Sequence, residues 1–313
     1  MTEISSNSWI PGPVDIAVVM ITLNEAHNLR RVLDNLKGWA AEVYILDSFS
    51  KDKTVDIALE YGVNISQRRF ENFGDQWNFA INNLDIDATW TMKIDPDENL
   101  SDELKIDIAK LTLDKSIDGI EMDRRWWLMG KPLPISDRVL RGWRTGICAF
   151  TDAMVNEHPM VSGKVVLAAG VMEHFDSPNL NHWIEKQNRY SSQEAVAINL
   201  NKHLVVKPKL FGNKLERKMW LKSIFYHIPG RYIALFCYFW LLKGLWRTGK
   251  HGYDCAKLWT ECFRWKELKA KEMGREGVYE TTTVFGVGTA DARVVQHEGG
   301  RQLVTSVAAP SDC

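Results

Sequence analysis

Apolar and polar positions follow two alternating periodicities over the first third of the chain. Short apolar runs rich in β-branched residues, such as Val14–Thr22 and Glu42–Leu46, are separated by segments with helical spacing. The segment 25–39 carries apolar residues at the i, i+3, i+4 and i+7 positions of one helix face: Leu29, Val32, Leu33 and Leu36. Strands that alternate with amphipathic helices are typical of βαβ units, so we predict a mostly parallel sheet over residues 14–113.

Three more helices are predicted in this region, over residues 54–61, 75–84 and 102–113. Asn24 and Ser101 stand at the starts of the first and fourth helices. Side chains of these types accept hydrogen bonds from the free N–H groups of a first helical turn, so we predict that both residues are N-caps.

The remaining chain changes character twice. Residues 115–175 consist of strand-like runs broken by glycine and proline, which predicts an antiparallel extension of the sheet. Helical patterns return over residues 183–200, 215–227, 231–247 and 253–273. The resulting domain boundaries are an N-terminal extension 1–13, an α/β domain 14–200 with halves 14–113 and 114–200, a basic aromatic helical region 201–273, and a tail 274–313 that we expect to be mobile.

Three carboxylates stand within four residues, directly after the apolar-rich segment that begins at Ala88: Asp95, Asp97 and Glu98. Carboxylates this close raise one another's pKa unless a cation or hydrogen-bond donors compensate their charge. Asp95 and Asp97, held apart by Pro96, therefore suit a hard divalent cation that also binds phosphate oxygens. The alternative is a solvated acidic turn before the helix that Ser101 begins.

Polar side chains also follow the first two predicted strands. Asn24 and Glu25 come after the first strand, and Asp47 and Ser48 come after the second. The carboxyl ends of strands are where open α/β sheets bind ligands, and these groups suit a pyrimidine edge and ribose hydroxyls. Alternatively, Asn24 is only a helix cap and Asp47 only a turn residue. Neither a Gly-x-Gly-x-x-Gly loop nor a Gly-Lys-Ser/Thr loop is present, so a metal would have to neutralise the phosphates.

Charge and cysteine content limit the classes of protein that fit. Lys and Arg number 39 against 40 Asp and Glu, which gives no overall reason to expect a nucleic-acid partner. The five cysteines form no Cys-x-x-Cys pair, and the first residues lack a signal-peptide pattern, so a reducing cytoplasm fits best. The longest apolar run, residues 232–242, is shorter than the roughly 20 residues of a membrane-spanning helix, so it could lie on a bilayer but not cross one.

Several motifs occur together along the chain: TLNE (22–25), ILDSFSKDKT (45–54), FENFGDQWNFA (70–80), MKIDPDE (92–98), RVLRGWRTG (138–146), VNEHPMV (155–161), MEHF (172–175) and HWIEKQNRYSSQEA (182–195). As a set they resemble family-2 glycosyltransferases with the GT-A fold, and more narrowly the lipopolysaccharide core β-1,4-glucosyltransferase group. The resemblance extends to about residue 272. It implies a Rossmann-like mixed sheet that binds a nucleotide sugar, a divalent cation (Mg or Mn) and a UDP-sugar donor.

The resemblance also assigns roles to individual residues. Uridine contacts are expected from Thr22, Asn24, Glu25 and Asp47 with its neighbour Ser48; metal and diphosphate contacts from Asp95, Asp97 and His174; and further donor contacts from Gln76 and Asn78. Trp77 departs from the pattern, because many relatives carry Lys or Arg there. The position of Glu157 is that of the general base, although here Asn156 precedes it and His158 follows it. Glu98 is the alternative base.

Two clusters of basic and aromatic residues suggest partners. Arg138, Arg141, Trp126 and Trp127 suit a sugar or phosphorylated acceptor, although they would equally suit a stacked, partly exposed sheet face. Residues 202–250 hold eleven Lys and Arg against one acid, Glu216, with aromatic residues between them. This composition favours a membrane surface over nucleic acid, although part of the region must pack on the core.

These observations predict a cytoplasmic, peripheral membrane enzyme. It would be a metal-dependent, inverting transferase that moves a hexose from a UDP-sugar to a lipid-linked oligosaccharide. The alternatives are a non-catalytic membrane-bound scaffold with a degenerate nucleotide pocket, and a metal-dependent phosphohydrolase. The phosphohydrolase would normally carry an Asp on the first strand, where Met20, Ile21 and Thr22 stand.

Overall fold

The computed structural model of the chain describes residues 8–151, 158–199, 209–212, 214–225, 228–276 and 293–295. These residues form two compact units. Unit 1 contains the described residues of 8–125, 136–175 and 293–295, and unit 2 contains 126–135 and the described residues of 176–276.

Unit 1 is an α/β unit. Its helices are α1 (Ala26–Leu36), α2 (Thr54–Glu60), α3 (Phe73–Asn83) and α4 (Asp102–Leu111). Its first strands are β1 (Val14–Thr22), β2 (Ala40–Asp47), β3 (Asn64–Gln67), β4 (Trp90–Lys93) and β5 (Glu98–Leu100). The later strands are β6 (Gly119–Leu128), β7 (Lys131–Arg144), β8 (Cys148–Phe150), β9 (Pro159–Val161), β10 (Val165–Phe175) and β11 (Arg293–Val295), of which β6 and β7 continue into unit 2.

Nine of these strands form one mixed sheet in the order β11-β3-β2-β1-β4-β7-β6-β10-β5, and β8 pairs with β9 separately. Strands β3, β2, β1 and β4 are parallel. The pairs β4–β7, β10–β5 and β11–β3 are antiparallel. The predicted α/β fold, with a parallel first half and an antiparallel extension, is confirmed.

Strand β1 lies inside the sheet, between β2 and β4, and is apolar on both faces. Ile16 and Val18 belong to one buried cluster, and Ala17 and Val19 belong to a second. Because successive side chains of a strand point to opposite faces, a continuous apolar run fits a strand that is covered on both sides. Helix α1 buries Leu29, Val32, Leu33 and Leu36 in the first of these clusters, as the spacing predicts.

One predicted cap is confirmed and one is wrong. The Ser101 hydroxyl accepts a hydrogen bond from the Leu104 N–H at the start of α4. Asn24 does not cap α1, because it adopts a left-handed backbone conformation (φ 58°) and its side chain accepts from the Lys51 N–H instead. Asparagine is one of the few residues that tolerate this conformation. Helix α3 begins two residues earlier than predicted, because the Asn72 side chain caps it by accepting from the Asp75 N–H.

Unit 2 is helical. It contains α5 (Leu180–Asn199), α6 (Lys214–Phe225), α7 (Arg231–Cys237), a π-helical turn (Tyr238–Leu242), a 3-10 turn (Leu245–Thr248) and α8 (Gly249–Glu276). The single helix predicted over 231–247 is therefore wrong, because Gly244 adopts positive φ (78°) and ends the helical run.

Of the predicted mobile tail, 274–276 complete α8 and 293–295 form β11; the rest lies outside the described residues. Within the described residues no helix is both long and apolar enough to span a membrane.

Helices α7 and α8 are joined by a buried carboxylate. Glu267 accepts hydrogen bonds from the Arg231 guanidinium (Nη2–Oε1 2.6 Å and Nε–Oε2 3.0 Å) and from the Tyr232 hydroxyl. Lys271 adds an ion pair one helical turn later. Burial alone would raise the pKa of Glu267, but the hydrogen bonds from Arg231, Lys271 and Tyr232 lower it from 4.5 to about 2.

The Glu267→Gln substitution should lower the free energy of unfolding by about 2 kcal/mol at pH 7. Because the folded-state pKa is depressed, the carboxylate stabilises the protein above pH 4.5 and loses this effect as the pH falls toward 2. The difference between variant and wild type in urea unfolding should therefore shrink to about half by pH 3. Glu261→Gln is the control, since Glu261 is exposed on the same helix and faces Arg264 at 3.8 Å. A pH-independent loss at Glu267 would contradict the assignment.

Candidate active site

The strand register brings the predicted site residues to one edge of the sheet. In the parallel pair β1–β2, Thr22 lies opposite Asp47, the last residue of β2. On the other side of β1, Val19 lies opposite Lys93, the last residue of β4. The segments that follow these strands, which carry Asn24, Ser48 and the acidic cluster, therefore leave the same carboxyl edge of the sheet.

Asp47 organises the loop that follows β2. Its carboxylate is fully buried and accepts hydrogen bonds from the Thr22 hydroxyl, the Ser50 N–H and the Gln67 amide, each at 2.9 Å. Ser50 in turn accepts from the Asn24 N–H at 2.8 Å. These bonds hold the loops after β1 and β2 together. The structure thus places Asp47 as a rigid anchor for this edge, and its contact with uridine stays a prediction.

The next two predicted donor contacts differ in position. Gln76 is fully buried, accepts from Arg68 at 2.7 Å and donates to the Ser48 hydroxyl at 3.3 Å, so it joins the same edge. Asn78 does not: its amide pairs with the backbone N–H and C=O of Phe150 at 2.8 and 3.0 Å. Both polar ends of the Asn78 side chain thus anchor β8, and its contact with the donor stays a prediction.

The surroundings of Trp77 account for a tryptophan at a position where many relatives carry Lys or Arg. The indole is fully buried and stacks on Phe150, with ring centroids 5.5 Å apart. The Lys93 ammonium lies 4.3 Å from the centre of the indole. Position 77 thus belongs to the core, where a tryptophan adds packing and a cation–π contact.

Two of the three clustered carboxylates are compensated by arginines. Glu98 is fully buried; its Oε1 accepts from Arg124 (3.2 Å) and from Arg141, and its Oε2 accepts from the Asp95 N–H (2.9 Å). Arg141 also donates to Asp95 at 2.8 Å. Burial opposes the ionisation of Asp95, but Arg141, Lys93 and Arg124 hold its pKa well below the usual range.

This network changes the roles of two predicted residues. Arg141 is buried, and its guanidinium binds Asp95 and Glu98, which favours a structural role, and its contact with the acceptor stays a prediction. Both oxygens of Glu98 are engaged, which disfavours the alternative assignment of Glu98 as the general base.

Asp97 has different neighbours. Strand β5 pairs with β10 so that His174 lies opposite Glu98, and this register brings the His174 Nδ1 to 3.5 Å from the Asp97 carboxylate. Both side chains are buried. Carboxylate oxygens with an imidazole nitrogen suit Mn²⁺ or Mg²⁺, so the donor set fits the predicted cation.

Arg31 is a residue that the sequence pattern did not single out. Its guanidinium lies 4.2 Å from the centre of the Phe175 ring and donates to Asn28 at 2.7 Å. Burial lowers the pKa of Arg31, while the charges of Asp97 and Glu25 act in the opposite direction. Because the Arg31 guanidinium interacts electrostatically with Asp97, the candidate metal ligand, its positive charge suits a diphosphate bound at this site. In the sequence it was one of two adjacent arginines on a helix, with no signal to separate them.

The remaining predicted residues are the candidate base and the candidate acceptor contacts. Glu157 lies outside the described residues. Arg138 is exposed and faces Asp123 at 3.4 Å, and Trp127 is half-buried. Trp126 packs in unit 2, edge-to-face with Trp259 at 6.4 Å, which favours the packing alternative over an acceptor contact.

Arg141→Gln should destabilise the protein by about 3–5 kcal/mol, because it leaves Glu98 buried without one of its two guanidinium partners. Arg138→Gln is the matched control on the same strand, and an exposed pair of this kind should contribute less than about 1 kcal/mol. Urea unfolding at pH 7 measures both variants. Equal, small losses would show that Arg141 does not hold the acidic cluster.

Comparison with known proteins finds a family match over part of the chain. Residues 17–117 match the family model described as Glycosyl transferase family 2. An uncharacterized glycosyltransferase of Rickettsia typhi is 26% identical over 230 residues, which cover 67% of this chain and 76% of that protein.

Two solved structures are also similar. A mannosyltransferase from Pyrobaculum calidifontis, in complex with GDP-Man and Mn²⁺, is 16% identical with a TM-score of 0.48, covering 85% of this chain and 89% of the other. TarS 1–349 of S. aureus, in complex with UDP-GlcNAc, is 14% identical with a TM-score of 0.39, covering 91% and 98%. The family match over residues 17–117 and the Rickettsia typhi relative together support a transferase.

Proposed function

We propose that this protein is a metal-dependent, inverting hexosyltransferase that uses a UDP-sugar and acts on a lipid-linked glycan. The observation that carries the proposal is the Asp97–His174 pair, 3.5 Å apart, on the same sheet edge as the loops anchored by Asp47. A cation site beside a nucleotide loop is what transfer from a sugar nucleotide requires, since the leaving diphosphate must be neutralised.

Asp97 and His174 would hold the Mg²⁺ or Mn²⁺ ion, with Asp95 close by in its ion pair with Arg141. The ion supplies charge neutralisation for the departing diphosphate. Arg31 is placed to add a second positive charge, in place of the basic residue that position 77 lacks.

The uridine and ribose would be held at the loops after β1 and β2. Thr22 and Asp47 are hydrogen-bonded to each other, and Gln76 reaches Ser48 from α3. The backbone N–H groups of Asn24 and Glu25 are used within the protein, by Ser50 and Thr54. Their side chains, which stand at the ends of these loops, remain the proposed contacts to the nucleoside.

Glu157 is the proposed general base. In an inverting transfer the acceptor hydroxyl oxygen forms a bond to the anomeric carbon while the bond to the diphosphate oxygen breaks. The hydroxyl proton passes to the base. Glu157 is preferred over Glu98 because the Glu98 oxygens are already bonded to Arg124, Arg141 and the Asp95 N–H.

The acceptor is proposed to be a lipid-linked oligosaccharide of the lipopolysaccharide core or another cell-surface polysaccharide. Arg138 and Trp127 remain the proposed contacts to the acceptor. The resemblance to lipopolysaccharide core β-1,4-glucosyltransferases and the basic aromatic composition of 202–250 support this choice, together with a peripheral position on the cytoplasmic face of the membrane.

Asp97→Asn should abolish sugar transfer and weaken UDP binding in the presence of Mn²⁺ at least about tenfold, because the carboxylate charge that holds the ion is lost. Calorimetric titration with UDP, with and without Mn²⁺, measures the effect. Asp87→Asn is the control, since Asp87 is exposed near the opposite end of β4.

Three results would contradict the proposal. UDP binding that does not depend on Mn²⁺ would favour a scaffold protein with a nucleotide pocket. Phosphate release from simple esters without any acceptor would favour a phosphohydrolase. Full transfer activity in Asp97→Asn would remove the metal assignment.

Glu157→Gln should lower kcat by about 10²–10⁴-fold and change the KM for the donor by less than about threefold, because only proton acceptance is lost. Initial rates over a range of UDP-sugar concentrations give both constants. Glu103→Gln, at an exposed position on α4, is the control. An unchanged kcat at position 157 would place the base elsewhere.

A further inference from the structure

The segment from α7 to the 3-10 turn has one packed side and one exposed side. Phe236, Phe239 and Trp240 pack against the buried cluster of unit 2. The exposed side carries large apolar residues whose exposed fractions are unusually high: Ile233 72%, Leu241 56%, Leu242 80% and Trp246 53%. Each exposed side chain of this kind is ordinary alone, but a group of them within 14 residues marks a surface that another apolar phase covers.

Positive charges surround these apolar residues. Lys243, Arg247 and Lys250 are exposed, and no Asp or Glu occurs from residue 217 to residue 253. The Lys243 ammonium lies 5.7 Å from the Tyr238 ring, and the Arg247 guanidinium lies 5.7 Å from the Trp246 ring. Cations next to aromatic rings at the rim of an apolar patch match the headgroup level of a bilayer.

We infer that this docking patch, defined as Ile233, Leu241, Leu242, Trp246, Lys243 and Arg247, inserts into the surface of an anionic lipid bilayer. The inference deepens the proposed function, since it names the part of unit 2 that would hold the enzyme at a membrane-borne acceptor. The patch belongs to turns and a seven-residue helix, so it enters only the interfacial layer.

A second copy of the chain is a poorer occupant of the patch. In a symmetric dimer the same surface meets itself, so the cations around one apolar centre would approach those of the other copy. The patch carries no acid to compensate them. An anionic bilayer supplies both the apolar layer and the negative charge.

The test is co-flotation of the full chain with vesicles of 70% phosphatidylcholine and 30% phosphatidylglycerol. Wild type should float with these vesicles and at least about fivefold less with pure phosphatidylcholine, since each cation near an anionic surface contributes about that factor. Leu242→Glu and Lys243→Glu should each lower flotation at least about fivefold, the first by removing apolar insertion and the second by reversing a charge.

Leu113→Glu and Lys110→Glu are the matched controls, because these residues are exposed in unit 1, and both should float like wild type. The inference is overturned if wild type stays unbound, if controls and patch variants behave alike, or if Leu242→Glu instead converts a dimer to a monomer in light scattering. Donor hydrolysis by wild type without vesicles is measured separately, so its failure would count against the proposed function and not against docking.

Discussion

The candidate site depends on one buried carboxylate and its two guanidinium partners. Glu98 has no exposed surface, and the pairing of Arg124 and Arg141 with its Oε1 is what makes its burial possible. Its Oε2 accepts from the Asp95 N–H, and its own N–H donates to the Asp95 carbonyl, so the turn between β4 and β5 is closed by reciprocal bonds. This rigid turn fixes where Asp97 points, and β10 meets it from the other side with His174.

A second buried carboxylate, also held by several hydrogen-bond donors, lies at the end of β2. Asp47 is buried beneath three donors from three different segments, so the loop that carries Ser48 and Ser50 is fixed relative to β1. Two buried carboxylates thus hold the two halves of one sheet edge. A ligand that met such preorganised groups would lose little free energy to ordering them.

Local pattern was enough to predict much of the fold. The apolar runs of β1 and β2, the face of α1 and the Ser101 cap all depend on residues within a few positions of one another. The structure departs from the local pattern where a distant partner decides the outcome. The Asn24 side chain accepts a hydrogen bond from the Lys51 N–H and does not cap α1. The Asn78 side chain accepts from the N–H of Phe150, 72 residues later in the chain. No spacing rule contains such contacts.

For the site, the sequence predicts where the residues lie but not which residues they contact. The carboxyl-edge position of Thr22, Asp47 and the acidic cluster follows from strand order, which βαβ periodicity predicts. Strand order does not predict the partner of each carboxylate, because that partner depends on which residue of β7 or β10 lies opposite the carboxylate. Arg141 therefore resembled an acceptor contact in the sequence, and Arg31 resembled an ordinary helix residue.

The arginine partners of Asp95 and Glu98 also reduce the negative charge that a metal ion at this site would have to neutralise. Three carboxylates within four residues suggested that a cation neutralises all of them, yet Glu98 and Asp95 already have guanidinium partners. Asp97 instead faces an imidazole, a ligand that coordinates metals and carries little charge at neutral pH unless it is protonated. A divalent ion bound there would keep more of its positive charge for the diphosphate than one that neutralised all three carboxylates, because Asp95 and Glu98 are already compensated. The arginines beneath the turn thus make the cation site more effective by leaving it fewer anions to neutralise.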